Sequence, residues 1–391
     1  CASFTKVFFT RHFNDPIAIQ TTAVNDVTAV FDGGEFGVTT AVENITKKVT
    51  PKLIGLYSTG LTETKGDDLR GVVGNIDFPI VWTNTPDYEG AFETGFANAT
   101  KALIETLTVV TTQIEPKKLT VIPNVSITPI ELEKIKEFFE DLGFRVNAIP
   151  DLSNSLDGYL GQKQGSISSG GIDVEDIKQL ANNEIIVSIG ASVKECADAL
   201  LAKNPNAKLL KLNSLMGLQD IDDAIAKLLE LGVTISEKLK RARNRYLDAM
   251  LDAHFVIGKE SFIVAGENDY VYGACRALRE VGAQIICAVV PLRSTINELI
   301  EADEVIVGDL EDARKRIDGC GTIISNFHAI ALAKKYHKNV FLRGFPLWEV
   351  IGSSAICDSL YDGGMRFLFE VNNSIELHHL LHPDSSGSIN L

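Results

Sequence analysis

Six cysteines, at positions 1, 196, 275, 287, 320 and 357, and seven histidines are the side chains of this 391-residue chain best suited to metal or nucleophilic chemistry. No two cysteines form a Cys-x-x-Cys pair or any zinc spacing. Cys196 falls on the helical stripe Val193, Cys196, Leu200; Cys275 falls on Val271, Cys275, Leu278; Cys287 lies inside the apolar run QIICAVV. A free cysteine on such a face is a small core residue. Cys320, in the turn DGCGT, and Cys357 have no activating neighbour in sequence. Cys1 opens CASFTKVFFTRHFNDP with no second ligand nearby. An iron–sulfur cluster takes four thiolates or close substitutes, so Cys1 binds one only if a partner chain completes the set.

The histidines are scattered. His378, His379 and His382 fall in the last turn of an expected helix, where positive charge suits the dipole. That spacing suits a metal at i, i+3 or i+4, and suits a polar, frayed helix end equally well. His12 and His254 have no carboxylate at a diagnostic spacing, and no catalytic triad, paired carboxylates or P-loop is present. In STGLTETKGDDLRG (Ser58 to Gly71), an apolar strand LIGLY ends in small polar residues, followed by Glu63, Asp67 and Asp68. Parallel α/β sheets bind ligands at such strand ends. Asp67 and Asp68 suit a magnesium ion, but that ion usually also needs substrate phosphates; acids in the first turn of the helix DDLRGVV are the simpler reading.

The whole chain bounds these possibilities. It is 45% hydrophobic and 23% charged, with a net charge of −15 and no run rich in Lys and Arg. That balance excludes the basic footprint nucleic acid requires. No apolar stretch reaches the length of a membrane helix, and no signal peptide is present, so a reducing cytoplasm is the expected compartment. Residue 1 is Cys rather than Met, and the natural N-terminus is expected to lie upstream.

The elements that position these residues alternate between strand and helix. KLTVIPNV reads as a strand, and Thr128-Pro129-Ile130-Glu131 as a helix start with N-cap, proline and capping-box acid. Leu132, Ile135, Phe138, Phe139 and Leu142 form its apolar stripe, and Gly143 closes it. FRVNAIPDL, EIIVSIG and KLLKLN are further strands. From Ser261 the pattern restarts with SFIVAGE, QIICAVV, EVIVGDL, TIISN and VFLRGF, and Asp220 to His254 reads as a bridging helical stretch. LIGLYST, FPIVWTN and the helix GAFETGFANATKALIETL follow the same rule in the first hundred residues. The predicted fold is α/β, three Rossmann-like domains with mostly parallel sheets flanked by helices. Their expected bounds are 1–115 joined by 357–391, 116–258, and 259–356. SFIVAGENDYVYGACRAL has the strand–turn–helix context of a nucleotide site but lacks its glycine pattern. The stretch 151–171 is a long loop of the kind that forms lids or binding segments.

The order of the loops carries a resemblance. RHFNDPIAIQTTAVNDVTAVFDGGE, STGLTETKGDDLRG, NTPDYEGAFETGFANAT, DLSNSLDG, DAMLDAHFVIGK, DEVIVGDLED and RGFPLWE run in the order of the nitrogenase component 1 superfamily. SNSLDG with TPDYEG resembles most closely the NifN-type subunit of the scaffold that matures the iron–molybdenum cofactor. The resemblance implies three Rossmann-like domains and a heterotetramer with a homologous NifE-type partner. It implies a 4Fe-4S cluster at each interface, with one thiolate from this chain at the position matching Cys1 and the others from the partner. The cofactor precursor would be held mainly by the partner, with the nitrogenase iron protein docking transiently across both subunits. The catalytic β subunit has cysteines where this chain has Ile19 and Gly60. Two thiolates of its larger cluster are therefore missing, and assembly rather than turnover is the expected role. A deep internal pocket lined by Cys or His ligands is expected to be absent. The alternative is an oxidoreductase subunit of the nitrogenase β or protochlorophyllide reductase type.

Overall fold

The computed structural model describes residues 6–7, 18–22, 33–66, 68–159, 167, 170–348 and 350–382. Helix α1 (Gly33–Thr46) precedes strand β1 (Ile54–Tyr57), the short helices α2 (Gly60–Lys65) and α3 (Leu69–Gly74), strand β2 (Ile80–Thr83) and the long helix α4 (Phe92–Leu107). Strands β1 and β2 pair in parallel, Ile54 opposite Ile80.

The next segment runs β3 (Glu115–Pro123), α5 (Pro129–Asp141), β4 (Arg145–Ala148), α6 (Val174–Gln179), β5 (Asn183–Ile189), α7 (Lys194–Lys203) and β6 (Lys208–Leu212). Its four strands lie in the order β4-β3-β5-β6, all parallel. Helices α8 (Leu218–Glu230) and α9 (Glu237–Ile257) then lead to β7 (Ser261–Ala265), α10 (Asn268–Arg279), β8 (Gln284–Val290), β9 (Val305–Val307), α11 (Leu310–Arg314), β10 (Thr322–Ser325), α12 (Ala329–Tyr336) and β11 (Asn339–Leu342). These five strands are also parallel, ordered β11-β10-β7-β8-β9. Helix α13 (Leu360–Leu381) closes the described chain.

Parallel strands buried on both faces need apolar runs rather than alternation, and β3 and β5 meet that need with Leu119, Val121, Ile122, Ile185, Ile186 and Val187, all essentially inaccessible. One face of this sheet packs Ile122 and Ile186 against Ile104 of α4, Ile177 of α6 and Leu200 of α7. Helix α4 thus serves both β2 and the second sheet. The opposite face continues into one large core that includes Phe139, Tyr246, Phe262 and Phe367. Thr128 caps α5 as its sequence predicts, accepting from the Glu131 N–H at 3.2 Å, and Pro129 takes the first turn.

The helical stretch from Asp220 to His254 divides into two helices, because Gly232 adopts φ +83° after α8 and Ser236 caps a new helix, accepting from Leu239 N–H at 3.2 Å. Helix α13 packs along α9 and against β11. Its apolar face (Phe367, Leu368, Val371, Ile375) belongs to the large core, and Gly364 gives Tyr246 its room.

Candidate functional site at the converging strand ends

The loop after β1 is built from small polar residues that tie two strand ends together. Buried Ser58 accepts from the Thr85 N–H through Oγ at 2.9 Å, and its carbonyl accepts from Thr85 Oγ1 at 2.8 Å. Thr59 precedes α2, its N–H donating to Thr62 Oγ1 at 2.8 Å. The stretch after β1 holds two short helices, the second of them the helix expected from DDLRGVV. Asp68 caps the second, accepting from Gly71 N–H at 2.9 Å; Asp67 lies outside the described residues. A Cβ on Gly60 would stand 1.8 Å from Asp87 Oδ1 and 3.3 Å from Tyr88 Cδ1. The Asp87 carboxylate thus fills the space a side chain at position 60 would need. Beside it the surface is aromatic: Tyr88 is 65% exposed, and Phe92 stacks on Phe345 with ring centroids 4.9 Å apart.

Cys1 lies outside the described residues. Ile19 is half-buried and offers no ligand atom. The remaining cysteines are poor ligands where they stand. Burial pushes the thiols of Cys196 and Cys320 up to about 12 and that of Cys287 to about 11, and raises those of Cys275 and Cys357 further still. Cys196, Cys275, Cys287 and Cys320 are buried in the core, out of reach of a group bound at the surface. Cys320 joins the core around Ile263 and Ile323, a burial its turn sequence did not reveal. Among the described residues no group of three or more His, Cys, Asp or Glu is arranged to hold a metal ion. The fit to an iron–sulfur cluster is therefore negative for the described part of the chain: it supplies no ligand set of its own.

The ends of three sheets converge on a carboxylate cluster that sequence reasoning missed. Glu93, in the first turn of α4, is 4% exposed; Asp269, in the first turn of α10, is also 4% exposed. Asp269 accepts from the Ala191 N–H at 2.7 Å, the Ser192 N–H at 3.2 Å and the Ser192 Oγ at 2.5 Å, binding the turn after β5. Gly190 makes this approach possible: its φ is +115°, and a Cβ there would stand 2.3 Å from Asp269 Oδ2. Glu93 N–H donates to Glu267 Oε2 at 3.2 Å. Burial, then the Asp269 and Glu267 carboxylates, push Glu93 up to about 8, against donation from the Asp269 and Asn268 N–H groups. Glu93 Oε2 has no hydrogen-bond partner. Helix N-termini attract anions; here the chain's own carboxylates satisfy three such turns, so the convergence point is filled from within.

A second buried network fastens the closing segment. Arg343, after β11 in RGFPLWE, donates to Asp358 Oδ2 at 2.8 Å and to Glu370 Oε2 at 2.5 Å. Glu131 of α5 accepts from the N–H groups of Asp358 at 3.1 Å and Ser359 at 2.7 Å. Burial, then Asp358, raises Glu131 to about 7. The capping-box acid read from sequence is thus also the clamp on residues 358–359.

Comparison with known proteins places this geometry. NifN, the nitrogenase iron-molybdenum cofactor biosynthesis protein of Bradyrhizobium diazoefficiens, is 33% identical over 392 residues, covering 97% of this chain and 83% of that protein. The NifN of Rippkaea orientalis is 32% identical over 401 residues, covering 95% and 86%. Among solved structures, a chain of nitrogenase Cp1 at pH 6.5 superposes with a TM-score of 0.91 at 26% identity, covering 100% of this chain and 89% of that one. Residues 1–376 match the family described as nitrogenase component 1 type oxidoreductase, and the chain belongs to that family.

Proposed function

We propose that this chain is one subunit of a scaffold on which the iron–molybdenum cofactor of nitrogenase is matured. The observation that carries the proposal is similarity to NifN proteins along nearly the full length of both chains. The closed slot at Gly60 supports assembly over catalysis, because Asp87 occupies the space of a side chain that could ligate a larger cluster.

The metal group of this reading is a 4Fe-4S cluster at the interface with a homologous NifE-type subunit. Cys1 supplies one thiolate and the partner the rest. The resemblance to the family implies the Cys1 assignment, and Cys196, Cys275, Cys287 and Cys320 are buried. Such a cluster, when bound, supplies one-electron redox chemistry. The exposed rings of Tyr88, Phe92 and Phe345 beside the β1 and β2 strand ends suit a protein interface, where aromatic residues are enriched. The cofactor precursor resides mainly in the partner. Glu93, Glu267 and Asp269 support this, since they already take the helix N-terminal donors an anionic cluster would use. The nitrogenase iron protein docks transiently on the assembled complex.

Anaerobic co-expression with a NifE-type protein tests the reading. The expected product is a stable heterotetramer containing iron that does not reduce nitrogenase substrates when supplied with reductant and the iron protein. An iron-free monomer contradicts the scaffold, and substrate reduction favours a catalytic subunit of the nitrogenase β type.

A further inference from the structure

The last turn of α13 carries chemistry that cofactor assembly does not use. His378 and His382 lie four residues apart on one face of the helix, with ring centroids 4.9 Å apart and planes tilted by 48°. His379 adjoins them, its ring centroid 6.3 Å from that of His378 and its Nε2 3.9 Å from Glu260 Oε2. From the facing turn between α12 and β11, the backbone of His337 hydrogen-bonds His378 and the Lys338 ammonium lies close enough to repel a second positive charge.

We propose that His378 and His382 form a two-histidine chelate for a borderline divalent transition ion such as nickel, cobalt or zinc. Two imidazoles one helical turn apart present nitrogen donors to a single ion, and nitrogen is the donor such ions prefer. Magnesium and calcium favour oxygen and are excluded by this donor set. Glu260 beside His379 contributes negative charge at the rim; it is buried, and its other oxygen accepts from Thr322 Oγ1 at 2.7 Å. With two protein ligands the remaining coordination positions stay open, which suits an ion that is held and passed on rather than a structural one. The site stands apart from the strand-end loops and does not depend on the proposed role in cofactor assembly.

The test is titration of the full-length chain with Ni²⁺ at pH 7.5, followed by calorimetry, for the wild type and for His378→Asn, His382→Asn and the distant His328→Asn. Asparagine keeps each helix end polar and soluble, and circular dichroism verifies folding. Co²⁺ spectra of the same proteins distinguish nitrogen from thiolate ligation, since only thiolates give strong near-ultraviolet charge-transfer bands. The expected result is one equivalent of Ni²⁺ whose affinity falls about tenfold or more in either His378 or His382 variant, a loss at least as large as that from a supporting contact. Affinity is unchanged in His328→Asn. Ni²⁺ binding of equal strength in all four proteins, a thiolate band in the Co²⁺ spectrum, or no binding overturns the proposal.

Discussion

Glu93 is the residue at which the environment most clearly reverses a side chain's usual state. Its ordinary value is 4.5 and burial beside Asp269 and Glu267 lifts it to about 8, so the folded chain holds a proton there that the unfolded chain releases. The stabilising contribution is complete below 4.5 and is lost as pH rises from there through about 8. A single linked proton changes stability by about 1.4 kcal/mol per pH unit inside that window. Glu93→Gln keeps the shape and the neutral charge, so urea unfolding between pH 5 and 8 should show a shallower decline than wild type. Identical slopes would show that Glu93 is ionised in the fold. Gly60 makes a second prediction at this scale. Gly60→Ala turns aside only the end of the exposed Asp87 side chain and should cost about 0.5 kcal/mol, and in an Asp87→Ala background the cost should largely vanish. Additive effects in that double-mutant cycle would contradict the closed slot. Little of this was legible in sequence. Glu93 meets a residue 174 positions away, and no local spacing encodes such a contact.

Elements were more legible where one face or both faces of a strand are buried along its whole length. EIIVSIG, QIICAVV and TIISN announce themselves because parallel central strands admit only apolar β-formers. The helix from Pro129 was legible in detail because its cap and first turn are local chemistry. Asp220 to His254 was legible as helical, while the break within it rests on the left-handed backbone at Gly232. The anchor of α13 is tertiary and leaves no local signal. Arg343, with a side chain 8% exposed, neutralises Asp358, which is 5% exposed. Removing one partner of a buried pair leaves the other charge unpaired, so Arg343→Ala should lower stability by about 3–5 kcal/mol. Thr128→Ala, which loses the cap and its bond to the Ile356 carbonyl, should cost about 1–2 kcal/mol. Denaturant midpoints measure both, and a smaller effect for Arg343→Ala than for Thr128→Ala would show that the α13 clamp contributes little.

At the scale of the molecule, three parallel sheets direct strand ends at a common region, yet the chain fills that convergence with its own acids, and Tyr88, Phe92 and Phe345 stand exposed beside the β1–β2 loops. The order of loops along the sequence was enough to suggest the family. The central claim is that Cys1 ligates a cluster completed by a NifE-type partner. Electron paramagnetic resonance of the anaerobically purified, dithionite-reduced complex, wild type beside Cys1→Ala, tests it most directly. The account predicts a 4Fe-4S signal in the wild type that is lost or altered in the variant, with the complex itself still assembled. An unchanged signal in Cys1→Ala, or an iron-free wild-type complex, would contradict it.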